Sequence, residues 1–123
     1  MDFKDIAGKT LESIEGAHAG SERVTFNFTD GTACVAYHSH DCCESVEVKR
    51  LAGELADVIG LPILDAEEWH DSEVEPPEHP DSWTWTWQRI RTAKGQAVIV
   101  WLGQSNGYYG ETPYFQITHG RTV

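Results

Sequence analysis

Apolar and polar residues alternate along several stretches of this chain, at the two-residue period of a half-buried strand. Val24-Thr25-Phe26-Asn27-Phe28 is the clearest case. Thr29-Asp30-Gly31-Thr32 follows, and Asp-Gly suits a two-residue hairpin turn with both central residues at positive φ. Residues 33–38 then return as the partner strand. Trp83-Thr84-Trp85-Thr86-Trp87 alternates strictly and continues toward residue 92. Residues 96–102 are apolar almost throughout, the pattern of a central strand covered on both faces. Shorter strands are expected around 9–15, 45–49, 108–111 and 114–117. Turn clusters lie at 16–21, 93–95 and 103–107, where Asn106-Gly107 marks a positive φ.

One stretch changes period. Leu51, Leu55, Val58 and Ile59 share a helical face, and Gly60 is a natural stop, so the spacing predicts a short helix near 51–59. Residues 61–64 are then expected to run extended, since Pro62 biases the preceding Leu61 away from helix. The expected fold class is therefore α+β: a predominantly antiparallel meander of six to eight strands with one short helix. The length of 123 residues predicts a single domain over 1–123, enough to bury roughly two-thirds of the unfolded surface.

Charge narrows the function classes. Twenty acidic residues face nine basic ones, a net charge of −11. This leaves no electropositive footprint for nucleic acid and opposes anionic membranes. A basic protein or a cation is the more natural partner. Eight of the seventeen residues 65–81 are acidic, none is Lys or Arg, and three prolines fall in the second half. Residues 71–81 are expected to form an exposed, mobile acidic loop. The N-terminus has no apolar leader and no stretch reaches a membrane span, so a cytoplasmic location is expected. Cys42 and Cys43 are neighbours, about 3.8 Å apart at Cα and too close to pair without strain. With Cys34 they are read as free thiols in a reducing compartment.

Chemistry is densest in Tyr37-His38-Ser39-His40-Asp41-Cys42-Cys43-Glu44-Ser45-Val46. If 38–42 stays extended, His38, His40 and Cys42 share a face and could chelate zinc, with His18, His70, His79 or His119 as a fourth ligand. If the segment turns, Asp41 and Glu44 form a capping box. Cys42 or Cys43 would then sit at a positive helix end, with His38 or His40 as base. The bland reading is a polar turn with inert thiols. The two active readings require opposite conformations, and no spacing here matches a known reaction signature. Carboxylate pairs are too abundant to single one out.

Two further features bear on function. Trp83, Trp85 and Trp87 share one strand face, and Trp101, Tyr108, Tyr109 and Tyr114 could join them. Such a stripe is either core or an interface, a homodimer included, with Asn106, Tyr108 and Tyr109 lining an adjacent pocket. The acidic run is either a solvated connection or an imitation of phosphates that occupies a nucleic-acid-binding protein.

Three segments together carry a resemblance: Asp41-Cys42-Cys43-Glu44-Ser45-Val46, the run from Gly53 through Leu61-Pro62-Ile63-Leu64 to Glu68, and Trp85-Thr86-Trp87 with Ser105-Asn106-Gly107-Tyr108-Tyr109. Over roughly residues 7 to 117 the chain resembles a family of small, uncharacterised proteins of bacteriophages and bacteria, classed as a domain of unknown function. The resemblance implies that His38, Asp41, Cys42, Cys43 and Glu44 belong to the shared pattern, and that His40 is particular to this chain. It brings no activity with it. A phage or prophage source would favour an accessory role in host takeover or counter-defence, in the host cytoplasm.

The reading adopted is a non-enzymatic interaction module without a cofactor. It would hold a protein or small-molecule partner through Tyr37, His38, Asp41 and Glu44, the tryptophans of 83–87, and Asn106, Tyr108 and Tyr109. The alternatives are a zinc- or thiol-dependent enzyme centred on 38–44, and an acidic decoy.

Overall fold

The alternating stretches are strands in the computed structural model, which describes residues 1–39 and 43–118. The strands are β1 (Leu11–Glu15), β2 (Arg23–Phe28), β3 (Ala33–Tyr37), β4 (Ser45–Gly53), β5 (Asp65–Asp71), β6 (Ser82–Arg91), β7 (Gln96–Ser105) and β8 (Tyr114–Thr118). They form two four-stranded antiparallel sheets, in the orders β1-β2-β3-β8 and β4-β7-β6-β5. Val24, Phe26, Cys34 and Ala36 of the first sheet meet Val46, Val48, Ile99 and Trp101 of the second in one buried core. A 3-10 turn at Phe3–Ile6 wedges Phe3 against Phe26 and Phe115, with rings edge-to-face at 5.9 and 5.3 Å. Aromatic edges prefer such geometry, and the three rings close the core at that end.

The α+β class is overturned, and with it the helix near 51–59. Residues 51–53 end β4, with Leu51 opposite Ile99, and Leu55–Val58 is one 3-10 turn. The apolar face read as helical is real, since Val58 is buried and Leu51, Leu55 and Ile59 pack on the core. It is built by a strand end, a turn and a bridge from Ile59 to Leu11. Gly53 decides this: its φ is +77°, and a Cβ there would lie 2.3 Å from the Gln96 carbonyl oxygen. The backbone leaves the ladder where only glycine fits, and the six residues left of that stretch are too few to offset the cost of nucleating a helix.

Two smaller corrections concern connectivity. The expected single meander is split between sheets, because β3 pairs with the distant β8 and β4 with β7. The 28–32 turn is a three-residue loop, with Phe28 N–H donating to the Thr32 carbonyl at 2.9 Å. Gly31 takes the positive φ and Asp30 does not. Asp30 instead accepts hydrogen bonds from the Thr32 hydroxyl, the Lys9 ammonium and the Thr32 N–H, which hold its carboxyl well below the usual carboxylate range.

Cys34 is a free, fully buried thiol on the inner face of β3. Burial pushes its pKa up to about 11. We expect no alkylation of Cys34 in the native chain at neutral pH and full reaction in urea. Its folded value lies above the ordinary thiol value, so its stabilising contribution is complete below that ordinary value and is lost as pH rises toward 11. Rapid native labelling would mean that the β2–β3–β8 interior opens readily.

Candidate functional site

The chain passes between its two sheets twice, from β3 to β4 and from β7 to β8. Both passages lie at the same end, and His38 joins them. Its Nδ1 donates to the Thr112 carbonyl oxygen at 3.1 Å, because a carbonyl only accepts. Its Nε2 faces Glu44 Oε2 at 3.2 Å, within hydrogen-bond distance. The side chains are 3% and 0% exposed. The ring stacks on Tyr114 at 5.1 Å and 13°, and Gly110 abuts its Cε1 edge, where a Cβ would come within 3.0 Å of that atom.

The β7–β8 loop is anchored again one step along. Glu111 Oε1 accepts from the Thr84 hydroxyl at 2.9 Å and Oε2 from the Ser105 hydroxyl at 2.6 Å. Its backbone lies against Gly103, whose missing side chain leaves the room. Toward the middle of the sheet the inner face of β6 is polar too. The Trp101 indole donates to Gln88 Oε1 at 2.9 Å, and Gln88 Nε2 donates to Glu68 Oε2 at 2.8 Å. These buried polar groups form chains in which the partners satisfy one another.

Of the 37–44 segment, Tyr37 ends β3 and donates its hydroxyl to Gln116 Oε1 at 3.2 Å. His38 and Glu44 come together as described. His40, Asp41 and Cys42 lie outside the described residues, so the zinc set and the capping box lie partly there as well. Cys43 is disulfide-bonded, which corrects its reading as a free thiol. Of His38, His40 and Cys42 only His38 is described, and both its ring nitrogens are engaged by protein groups. Among the described residues no group of three His, Cys, Asp or Glu side chains is arranged to hold a metal ion. A shallow polar groove of about 440 Å³ lies beside this segment, lined by Cys43, Glu44, Ser45, His79, Asp81, Gln104 and Asn106.

The tryptophans occupy the opposite, outward face of the second sheet. Trp85 and Trp87 lie over Leu102 and Val100, which are fully buried although they point away from the main core. The 72–81 loop helps to cover them. Pro76 is buried, the Trp85 indole N–H donates to the Val74 carbonyl at 2.7 Å, and Glu78 reaches Lys49 at 3.7 Å. The loop is thus tied across the sheet rather than hanging free of it. Trp101 does not join the stripe, because its position on β7 points inward. Tyr114 is on the other sheet, Tyr109 is half-buried, and Tyr108 is 88% exposed on the turn after Asn106.

Sequence reasoning missed Trp69, which extends the stripe. It is 40% exposed on β5 and stacks on Trp87 at 5.9 Å and 6°, while Val74 beside Trp85 is 68% exposed. The alternation of Asp65, Glu67, Trp69 and Asp71 was the available signal. Glu67 pairs with Arg89 at 2.9 Å, and Asp65 accepts from both Arg91 Nε and its terminal nitrogen. A groove of about 510 Å³ runs along this edge between Lys4, Glu68, Trp69 and Arg89. Glu111 and Thr112 were also missed, since nothing local links them to His38. Among the described residues no helix is long and apolar enough to cross a membrane.

The model of the DUF7448 family, a domain of unknown function, matches residues 4–115. The chain belongs to that family. No curated protein and no solved structure matches it.

Proposed function

We propose that this member of the DUF7448 family is a non-catalytic protein-binding module whose contact surface is the outward aromatic face of the second sheet. One observation carries the reading. Two exposed apolar side chains, Trp69 and Val74, are joined through half-buried Trp87 and Trp85 into one patch. Glu67, Asp71 and Glu73 rim it. An aromatic centre with a charged rim is the anatomy of an interaction hot spot. The net charge of −11 selects a partner with a basic surface, because complementary charge speeds encounter and rejects acidic competitors. Arginine of such a partner could lie over the Trp69 ring beside Asp71.

The geometry lends less to the alternatives. Among the described residues neither thiol is available to the His38–Glu44 pair, since Cys43 is in a disulfide and Cys34 is buried elsewhere. A phosphate-like decoy needs free carboxylates. Four of the eight carboxylates of the acidic run, Asp65, Glu67, Glu75 and Glu78, are already engaged by Arg91, Arg89, His79 and Lys49. A phage or prophage source, which the resemblance to phage and bacterial proteins favours, would make the proposed partner a host-cell protein and the role an accessory one in takeover or counter-defence.

The test is affinity capture with the wild-type chain and Trp69→Ala, with thermal melts of both to show that the fold survives loss of a 40%-exposed ring and its stack on Trp87. A basic protein retained by the wild type, lost with Trp69→Ala and weakened by salt is the expected result. Equal retention by both chains would remove the aromatic face from the reading.

A further inference from the structure

Two sheets of four strands have four outer edges, and an unprotected edge is a template for another strand. Three of these edges are defended. The β1 edge is covered by 59–63, with Gly60 N–H donating to Leu11 and Ile63 N–H to Lys9 at 2.9 and 2.8 Å. The β4 edge is bulged after Val48 and capped there by Gly20 and Ser21 through two 2.7 Å backbone bonds. The β5 edge carries four carboxylates in seven residues. The fourth edge, β8, is Tyr-Phe-Gln-Ile-Thr. It has no charge, no proline and no bulge in its five-pair register with β3. Tyr114 is 48% and Ile117 45% exposed, and among the described residues no backbone bond reaches the free side of the strand.

We propose that β8 is a dimerisation edge, and that its occupant is β8 of a second copy of this chain, antiparallel across a two-fold axis through Gln116. A second copy fits because the strand is self-complementary in that register. Gln116 meets its own copy, and its amide both donates and accepts. Phe115 opposes Ile117 of the partner subunit, and Tyr114 opposes Thr118 of the partner subunit, both favourable cross-strand combinations. Each residue keeps its face, so the first sheets join into one of eight strands. The strand is also where two bodies of charge −11 can approach without setting carboxylate against carboxylate. Five residues a side make a small contact, so the dimer is weak and tightens as salt screens the like charges.

Sedimentation of the full chain across concentration tests this. The expected result is a monomer–dimer equilibrium that shifts toward dimer in salt and is lost in Ile117→Lys and Gln116→Lys, with melts unchanged because both positions are exposed. Directly opposed Cα atoms lie about 4.5–5.5 Å apart, within disulfide reach. Gln116→Cys should therefore cross-link under mild oxidation and Thr118→Cys should not. A chain that stays monomeric at every concentration overturns the proposal. So does a dimer that survives Ile117→Lys but disappears in Trp69→Ala, which would assign association to the aromatic face. Equal cross-linking at 116 and 118 would overturn the register.

Discussion

His38→Ala is expected to cost about 2–5 kcal/mol of folding stability, the range for truncating a large buried side chain, here with two hydrogen bonds lost as well. The Glu44 side chain is fully buried, and its carboxyl would lose the ring that faces it at 3.2 Å. Thr112 would lose its Nδ1 donor, and the stacked Tyr114 and Gly110 would border a cavity. Urea unfolding followed by tryptophan fluorescence measures the loss. Glu44→Gln is the informative companion, because its amide keeps the shape and a hydrogen bond to Nε2. It should lose only about 1 kcal/mol, the net worth of an ordinary hydrogen bond. A cost below that for His38→Ala would mean that the two sheet crossings do not depend on this pair. The prediction treats the densest chemistry of the sequence as architecture: the pair holds together the two passages by which one chain builds two sheets.

This explains what could and could not be read in advance. The 24–28 hairpin, the Trp-Thr strand and the apolar β7 were legible because strand identity is written at a period of two residues within one segment. The helix near 51–59 was misread because Leu51, Leu55, Val58 and Ile59 satisfy a helical spacing while lying on a strand end, a turn and a bridge. Only the positive φ of Gly53 and its contact with Gln96 separate the two, and the contact is a tertiary fact. Pairing of β3 with β8 joins residues about eighty positions apart, so no local pattern could divide one meander into two sheets. At the site, the chemistry of His38 and Glu44 was visible, but their purpose depends on Thr112, Tyr114 and Gly110. The tryptophan stripe was legible from its spacing, while its exposed end, Trp69, sits on another strand.

Gly103→Ala should be the most disruptive single methyl in the chain. Gly103 has no positive φ, so conformational freedom is not the reason for glycine there; space is. A Cβ would lie 1.8 Å from the Glu111 carbonyl oxygen and 2.7 Å from its Cα. These are main-chain atoms, and no rotamer change can relieve the overlap. Either β7 twists out of register with β4 and β6, or the β7–β8 loop lifts and Glu111 leaves Thr84 and Ser105. Overpacking ordinarily costs about 1–3 kcal/mol, and a backbone obstacle places this variant at the top of that range or above. Gly107→Ala supplies the contrast, since open space surrounds its Cβ and only φ of +97° is unfavourable, worth about 1–2 kcal/mol. Urea midpoints should rank Gly103→Ala below Gly107→Ala, with amide exchange at 106–113 accelerated most in the former. The reverse order would show that the loop is not seated on β7, and that His38 rather than Glu111 carries the connection between the sheets.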